Sequence, residues 1–248
     1  MSAQDVLRDK RVLLIGAGGL GSPAGTLLAQ AGIGYLEVLD DDVVEISNLQ
    51  RQTLYSESDV GSPKAPCAAE ALRRLARAAG HSHTEVHARE GRLRPDSALE
   101  RVRGFDLVVE GSDNYPTKFL TADVCQLAQV SCVQAAAVRW VGWTLGVVPG
   151  ESACLRCVFE DIPEGPDQGC ATAGVIGPVV GVMGALQASI ALRLLLGQNK
   201  AAGVLHHYRA LSGALRRTRI ARSPLCPACN GQLTVVDPTR YQPPDCAA

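Results

Sequence analysis

Apolar runs and amphipathic stretches alternate along most of the chain. Short apolar runs predict buried strands, and longer stretches with apolar residues at helical spacing predict helices. The predicted strands are 12–15, 35–42, 105–114 with its turn, and a pair within 130–148 that bends near Arg139. The predicted helices are 20–31, 64–79, 117–129 and 175–197. This alternation is typical of α/β proteins, so we predict a Rossmann-like, mostly parallel sheet with helices on both faces.

The last third of the chain departs from the alternation. Residues 149–174 contain Gly, Pro and acids and predict a loop, whereas residues 203–221 predict a late hairpin. We therefore predict a single domain over residues 1–235 and a loose C-terminal tail over 236–248.

Composition excludes several classes of protein. Hydrophobic residues make up 46% of the 248 residues, so we expect a sizeable core. The 24 basic and 25 acidic residues leave a net charge of −1, which favours neither nucleic acid nor an anionic membrane as partner. We expect no apolar run of the roughly 18 residues that cross a bilayer. The polar start lacks the apolar stretch of a secretory signal, so we expect a cytoplasmic protein.

A glycine-rich turn follows the first predicted strand and opens the first long helix. Gly16-x-Gly18-x-x-Gly21, which includes Gly19, would let backbone N–H groups approach phosphate. Asp40 ends the second strand, 24 residues after Gly16, where an acid accepts hydrogen bonds from ribose. The pattern predicts a nucleotide site, and the alternative is a glycine turn without a ligand. By itself it is typical of nicotinamide or flavin enzymes.

Further polar residues follow the acid and change that picture. Asn48, Arg51 and Gln52 come just after Asp40, and Lys64 follows at "SPK". An added arginine and lysine suit a triphosphate, whose reaction spreads charge over several oxygens. The other interpretation is that each cation is an ordinary solvated side chain.

Four of the nine cysteines form two CxxC pairs, Cys154-x-x-Cys157 and Cys226-x-x-Cys229. Four thiolates give a closed tetrahedral site, which predicts a structural Zn²⁺, with a redox dithiol as the alternative. The metal would give a zinc-stapled C-terminal hairpin region. Three other cysteines fall in apolar patterns and are predicted to lie in the core: Cys67, Cys125 and Cys132.

Several motifs, in this order, resemble the ThiF/MoeB/HesA family, the bacterial relatives of the ubiquitin-activating enzymes. They are GAGGLGSP, DDDVVEISNLQRQ, SPK, SDN and GPVVGVMGALQA, and the resemblance covers about residues 11–235. It implies an adenylyltransferase that uses ATP and Mg²⁺ to adenylate the C-terminal glycine of a small ubiquitin-like sulfur carrier ending in Gly-Gly. This would prepare the carrier for thiocarboxylate formation. The family resemblance also implies a homodimer.

The resemblance assigns roles to single residues. Arg51 matches the arginine that stabilises charge at the α-phosphate, and Lys64 matches the lysine that grips the phosphates. Asp113, in "GSDN", matches the aspartate associated with magnesium, although "SDN" is also good turn chemistry. The other matches are the phosphate-loop glycines Gly18, Gly19 and Gly21, the ribose-binding Asp40, and the phosphate-side Asn48.

Cys170 stands in "GCATAGVIG", just before a predicted helix, and has no partner cysteine nearby. The segment resembles the ThiF branch more than the MoeB branch. There, a cysteine at this place is implicated in covalent chemistry with the activated carrier. The alternative is a small residue at a junction of loop and helix.

Two further hypotheses remain open at this point. A nicotinamide-dependent oxidoreductase would share the glycine loop and Asp40. A non-catalytic adapter that binds nucleotide or carrier is suggested because only ten residues precede Arg11, fewer than is usual in the family. We see no rhodanese-like extension, so the sulfur is expected from a separate donor such as a cysteine desulfurase or rhodanese. The pathway served could be thiamine, molybdopterin, thiolated tRNA or a natural-product thioacid.

Overall fold

The computed structural model describes residues 2–163 and 174–241, and within them eight strands form one sheet. The strands are β1 (Arg11–Ile15), β2 (Tyr35–Asp40), β3 (Glu85–Glu90), β4 (Leu107–Glu110), β5 (Ser131–Val138), β6 (Val141–Val147), β7 (Val204–Arg209) and β8 (Ala214–Arg219). The helices are α1 (Ala3–Arg8), α2 (Gly21–Gln30), α3 (Lys64–Ala78), α4 (Ala98–Val102), α5 (Tyr115–Ala128) and α6 (Gly177–Leu195).

The spatial order of the strands is β3-β2-β1-β4-β5-β6-β7-β8. The first five strands pair in parallel, whereas β6, β7 and β8 each run antiparallel to the preceding strand. Strand order reverses at β1 and β4, which is the switch point of a Rossmann-like sheet. The predicted α/β fold and the late hairpin are confirmed.

Alternate residues of β1 show how the two faces of the sheet are covered. Val12 and Leu14 pack into the core cluster that contains α2, α3 and the second half of α6. Leu13 and Ile15 pack into the cluster that contains α4 and α5. A strand that is apolar on both sides is what a doubly covered sheet requires, so helices lie on both faces as predicted.

Helix α6 corrects one expectation. Its 19 residues are long and apolar enough to cross a membrane by length and composition, so the expectation that no such run exists is wrong. The helix instead packs on β5 and β6, and 56% of its 18-residue apolar stretch is buried inside the protein. Glycines permit this close packing, because a Cβ on Gly142 would lie 2.5 Å from Met183 and one on Gly146 2.6 Å from Ile190. The helix therefore belongs to the core of the sheet.

The sequence pattern did not predict three elements, β3, α1 and α4. Strand β3 lies at the edge of the sheet, and of its six residues only Val86 is buried. An edge strand with mostly polar residues has neither the apolar run nor the clear alternation on which the strand predictions rested.

Candidate nucleotide site and cysteine cluster

The glycine turn after β1 lies against the turn after β4, at the switch point of the sheet. Gly16 has φ +81°, and a Cβ there would lie 3.0 Å from both the carbonyl carbon of Gly111 and the nitrogen of Ser112. A Cβ on Gly21 would lie 1.9 Å from the carbonyl oxygen of Gly16. Packing within the protein therefore requires glycine at both positions.

The packing around Gly18 and Gly19 is looser. A Cβ on Gly18 would meet nothing nearer than the Gln52 amide nitrogen, at 3.5 Å. A Cβ on Gly19 would come within 3.2 Å of a methyl group of Val180, on α6. Glycine at position 18 is thus not required by the protein's own packing, which is expected where the backbone must approach a ligand.

Asp40 ends β2 beside the glycine turn, and its carboxylate is already engaged. One oxygen accepts from the Ala17 N–H at 2.7 Å, and the other accepts from the Asp42 N–H at 2.9 Å. Burial raises the pKa of Asp40, and these two N–H groups oppose the shift. The predicted ribose acceptor therefore also holds the glycine turn, a role that the sequence did not indicate.

Lys64, the lysine of the "SPK" motif, is the first residue of α3 and is buried. Its ammonium lies 2.9 Å from an oxygen of Asp42, whose side chain is more than half exposed. The Tyr55 hydroxyl, which sequence reasoning missed, donates to the Ala17 carbonyl at 3.0 Å. Lys64 and the glycine turn therefore lie together at the switch-point end of the sheet, in the region that we call the crevice.

The segment after β2 brings the other predicted polar residues to this edge. Asn48 is buried in a short 3-10 helix, Ile46–Asn48. Gln52 is 4% exposed, and its amide oxygen has no hydrogen-bond partner among the described residues. Arg51 donates to the Ser47 carbonyl at 3.1 Å and forms no ion pair with the part of the chain that the structure describes. Within the described residues, this part of the site thus holds a buried amide oxygen without a hydrogen bond and a cation without a counter-charge.

Asp113 lies on the turn between β4 and α5 and is exposed. Its carboxylate accepts no hydrogen bond from residues 2–163 or 174–241. Arg92 after β3 was not predicted. Its hydrogen bond to Asp41, with the nearby charges of Asp42 and Asp113, raises the pKa of Arg92. Asp113 therefore lies near Arg92, as Asp41 and Asp42 do, and its carboxylate oxygens are available to a cation.

A buried ion pair at the end of β4 was also missed. Lys118 on α5 lies 2.8 Å from Glu110, and the two side chains are 3% and 0% exposed. Only one signal pointed to it, a glutamate that closes the apolar run "LVVE".

The two CxxC pairs, 72 residues apart along the chain, come together. The four sulfur atoms lie within 4.8 Å of one another. The shortest distances are 3.4 Å from Cys154 to Cys229, and 3.6 Å both from Cys154 to Cys226 and from Cys157 to Cys229. A tetrahedron with zinc–sulfur bonds of about 2.3 Å has sulfur–sulfur edges of about 3.8 Å. The Ser223 N–H also donates to the Cys157 sulfur at 3.4 Å. The donor set and its size fit a closed zinc site.

A network of charges lies next to the cysteines. The guanidinium of Arg156, between Cys154 and Cys157, makes two hydrogen bonds of 2.8 Å to Asp123 on α5. The Tyr241 hydroxyl donates to the same carboxylate at 2.6 Å. Nothing in the sequence pattern indicated this network, since its members lie far apart along the chain and the buried Tyr241 falls in the segment predicted as a loose tail.

The remaining cysteines divide in three ways. Cys125 and Cys132 are buried as predicted, whereas Cys67 is only partly buried and packs against the core. Cys170 and Cys246 lie outside the described residues.

The ThiF family model matches residues 1–228. The SAMP-activating enzyme E1 of Haloferax volcanii is 41% identical over 91% of this chain and 82% of its own length. The sulfur carrier protein ThiS adenylyltransferase of Escherichia coli is 38% identical over 93% of this chain and 90% of its own. The chain spans about half the length of the MOCS3 relatives that it also matches, 51% for the Sus scrofa protein.

Among solved structures, E. coli MccB superposes with a TM-score of 0.79 over 92% of this chain and 67% of its own, at 24% identity, which supports the fold alone. The sequence relatives confirm the predicted enzyme class, an adenylyltransferase. From the family match and these identities, the chain belongs to the ThiF family.

Proposed function

We propose that this chain uses ATP and Mg²⁺ to adenylate the C-terminal glycine of a small ubiquitin-like sulfur carrier that ends in Gly-Gly. One observation carries the proposal. The glycine turn, the buried Lys64, the exposed Asp113 and Arg51 lie at the switch-point end of the sheet, and Arg51 forms no ion pair with any residue that the structure describes. Relatives named for activating SAMP and ThiS support the carrier as substrate class.

The arrangement suits a triphosphate better than a dinucleotide. Backbone N–H groups at the start of α2 would serve a pyrophosphate, as they do in nicotinamide enzymes. That chemistry gives no role to Arg51 or Lys64. A triphosphate that loses pyrophosphate places several negative oxygens at this edge, where both cations would stabilise them. The oxidoreductase hypothesis is therefore not the one that we carry forward.

The reaction requires placement and charge more than proton transfer. A carrier carboxylate, ionised at neutral pH, attacks the α-phosphorus, and the bond to pyrophosphate breaks. Arg51 and Lys64 would orient the phosphates and offset their charge. Asp113 fits a magnesium ligand, because its oxygens accept no hydrogen bond from the described residues. Mg²⁺ held there would supply further positive charge at the phosphate oxygens.

A surface for the carrier lies beside the crevice. The β5–β6 and β7–β8 turns meet at the same end of the sheet as the glycine turn, where the Ala210 N–H donates to the Trp140 carbonyl. Exposed Trp140, Val141 and Leu211 line a cleft of about 330 Å³ there. Arg209 lines the same cleft. We therefore propose that the carrier docks here through an apolar patch with an acidic side chain opposite Arg209.

The test is ATP–pyrophosphate exchange with a ThiS carrier ending in Gly-Gly as the probe. We expect exchange to require the carrier, to vanish when its final glycine is removed, and to fall about 100-fold in Arg51→Ala. Arg8→Ala, at the far end of α1, is the control and should retain full exchange. ATP binding without exchange would instead support the adapter, and NADH binding without ATP binding would support the oxidoreductase.

For Cys170, the proposed role is capture of the activated carrier or transfer of sulfur to it. Adenylation itself needs no thiol. We therefore expect Cys170→Ala to retain exchange but to impair thiocarboxylate formation with a separate sulfur donor such as a cysteine desulfurase or rhodanese. Equal loss of both steps would contradict this role, and so would full retention of both.

A homodimer in the cytoplasm completes the proposal. Leu27 on α2 and Val182 on α6 are exposed apolar residues on two helices that pack together, and a second copy of the chain would cover them. Sedimentation at micromolar concentration tests the assembly. A monomer at all concentrations would refute it.

A further inference from the structure

Two buried polar side chains hold the end of β4, the strand that leads into Asp113. We propose that Lys118 on α5 and Gln187 on α6 are positioning residues that fix the Asp113 turn for the metal–nucleotide complex. The inference rests on the proposed function, since Asp113 has its role there.

Lys118 uses all three of its N–H donors within the protein. Its ammonium lies 2.8 Å from a Glu110 carboxylate oxygen, 2.7 Å from the Ser112 carbonyl and 2.6 Å from the Ala135 carbonyl. Two of these partners lie within three residues of Asp113, and the third is on β5. One buried cation therefore ties the turn to the neighbouring strand.

Gln187 reaches the same strand end from the opposite face of the sheet. Its amide nitrogen donates to the Glu110 carbonyl at 2.6 Å and to the Val133 carbonyl at 2.9 Å, and the side chain is fully buried. Lys118 thus grips the Glu110 carboxylate while Gln187 grips the Glu110 backbone. The two contacts together restrain the end of β4 from both sides.

The residues between the strand end and Asp113 are restrained as well. The Gly111 N–H donates to the Ile15 carbonyl of β1 at 2.8 Å. The Ser112 N–H donates to Glu110 at 2.7 Å. After the turn, Asn114 caps α5 by accepting from the Thr117 N–H at 2.9 Å. Asp113 is therefore a side chain without a hydrogen bond to the described part of the chain, on a backbone held immediately before and after it.

A purely structural role is the weaker explanation of this arrangement. Burying an ion pair carries a desolvation penalty that a well-packed apolar pair avoids, so such a pair is poor evidence for a gain in stability. Here the charged groups also bind the backbone N–H and carbonyl of Ser112, the residue before Asp113. This is how outer partners hold a metal ligand in position, and their loss typically reduces metal affinity by about 10–100-fold.

The test measures ATP affinity calorimetrically with and without Mg²⁺. The double variant Lys118→Met with Glu110→Gln removes both charges and leaves neither buried alone. We expect it to lose about tenfold or more of the gain in affinity that Mg²⁺ provides, with Mg²⁺-free affinity unchanged within about twofold. Adding Asp113→Ala should cause little further loss, because both changes act through the same carboxylate. Gln126 is a different buried glutamine, on α5, and Gln126→Leu is the control that should match the wild-type affinities.

If the double variant does not fold, the same two ATP affinities are measured on Gln187→Met, which changes no charge. A variant that keeps the full Mg²⁺-dependent gain overturns the inference. So does an equal loss of affinity without Mg²⁺, which would indicate a structural role. If wild type shows no Mg²⁺ gain and Asp113→Ala behaves like wild type, the proposed role of Asp113 itself is wrong, and this inference falls with it.

Discussion

Two regions next to helix α5 differ in whether their charged side chains have partners within the protein. At the N-terminal end of α5, the nucleotide crevice leaves Asp113 without a hydrogen bond and Arg51 without an ion pair, among the residues that the structure describes. In the middle of α5, Asp123 is fully buried and accepts from both Arg156 and Tyr241 beside the cysteine cluster. Asp113 and Arg51 in the crevice thus have no charged partner among the described residues, whereas Asp123 and Arg156 beside the cysteines are paired with each other.

This difference indicates which substitutions should change activity and which should change the free energy of unfolding. A charge that is exposed and unpaired contributes little to the free energy of unfolding but can bind an incoming ion. A buried pair cannot lose one partner without leaving the other desolvated. Substitutions in the crevice should therefore change activity, and substitutions beside the cysteines should change stability.

The largest effect is expected for Cys226→Ser, which removes one of the four clustered sulfur atoms. Zinc in finger peptides binds with free energies on the order of 10 kcal/mol, and we take this as an upper limit for a domain with its own core. We expect one zinc per chain in wild type, much less in the variant, and a clearly lower melting temperature. Elemental analysis and calorimetry measure both quantities.

Cys67→Ser is the matched control, since Cys67 is partly buried and lies outside the cluster. It should keep its zinc. Wild-type protein purified without chelator and found free of zinc would contradict the assignment.

Arg156→Ala should follow in size. The side chains of Arg156 and Asp123 are 1% and 0% exposed, so the variant leaves a buried carboxylate that, among residues 2–163 and 174–241, only Tyr241 supports. Loss of one partner of such a pair costs about 3–5 kcal/mol. Urea unfolding measures the loss, and Arg94→Ala, in an exposed pair with Asp96, should cause almost none. A similar small loss in both variants would show that the buried pair contributes little.

The smallest effect concerns pH. Burial and the charge of Arg217 lower the pKa of His206 below its ordinary value of 6.5. The unfolded chain then binds the proton more readily, so the contribution of His206 to stability is complete above about pH 6.5 and is lost as the pH falls through its folded pKa. Urea unfolding at pH 7.5 and 5.5 should show a smaller pH dependence in His206→Gln than in wild type. The half-buried neighbour His207→Gln should retain the wild-type dependence.

The sequence predicted most of the parallel half of the fold and several of the residues that lie at the crevice. Glycines next to a strand, an acid at the end of the next strand and paired cysteines are local patterns whose chemistry constrains their use. Their predicted roles in ATP and magnesium binding await experiment, but the structure places Gly16, Asp40 and Lys64 in one corner.

The missed features share a physical reason. Lys118 meets Ala135, and Tyr241 meets Asp123 across 118 residues of chain, so neither contact leaves a local pattern. Strand β3 was missed because an edge strand tolerates polar residues on both faces. What depends on tertiary contacts could not be read from spacing alone.

The most direct test compares two aspartates near or on α5, Asp113→Ala and Asp123→Ala. For each variant, carrier-dependent pyrophosphate exchange per folded molecule and the free energy of unfolding are measured on the same preparation. We predict that Asp113→Ala loses about 100-fold or more of the exchange with its stability nearly unchanged. Asp123→Ala should lose about 3–5 kcal/mol of stability with exchange per folded molecule nearly intact. The opposite pattern, or equal effects of both variants on both quantities, would contradict the division between the two regions.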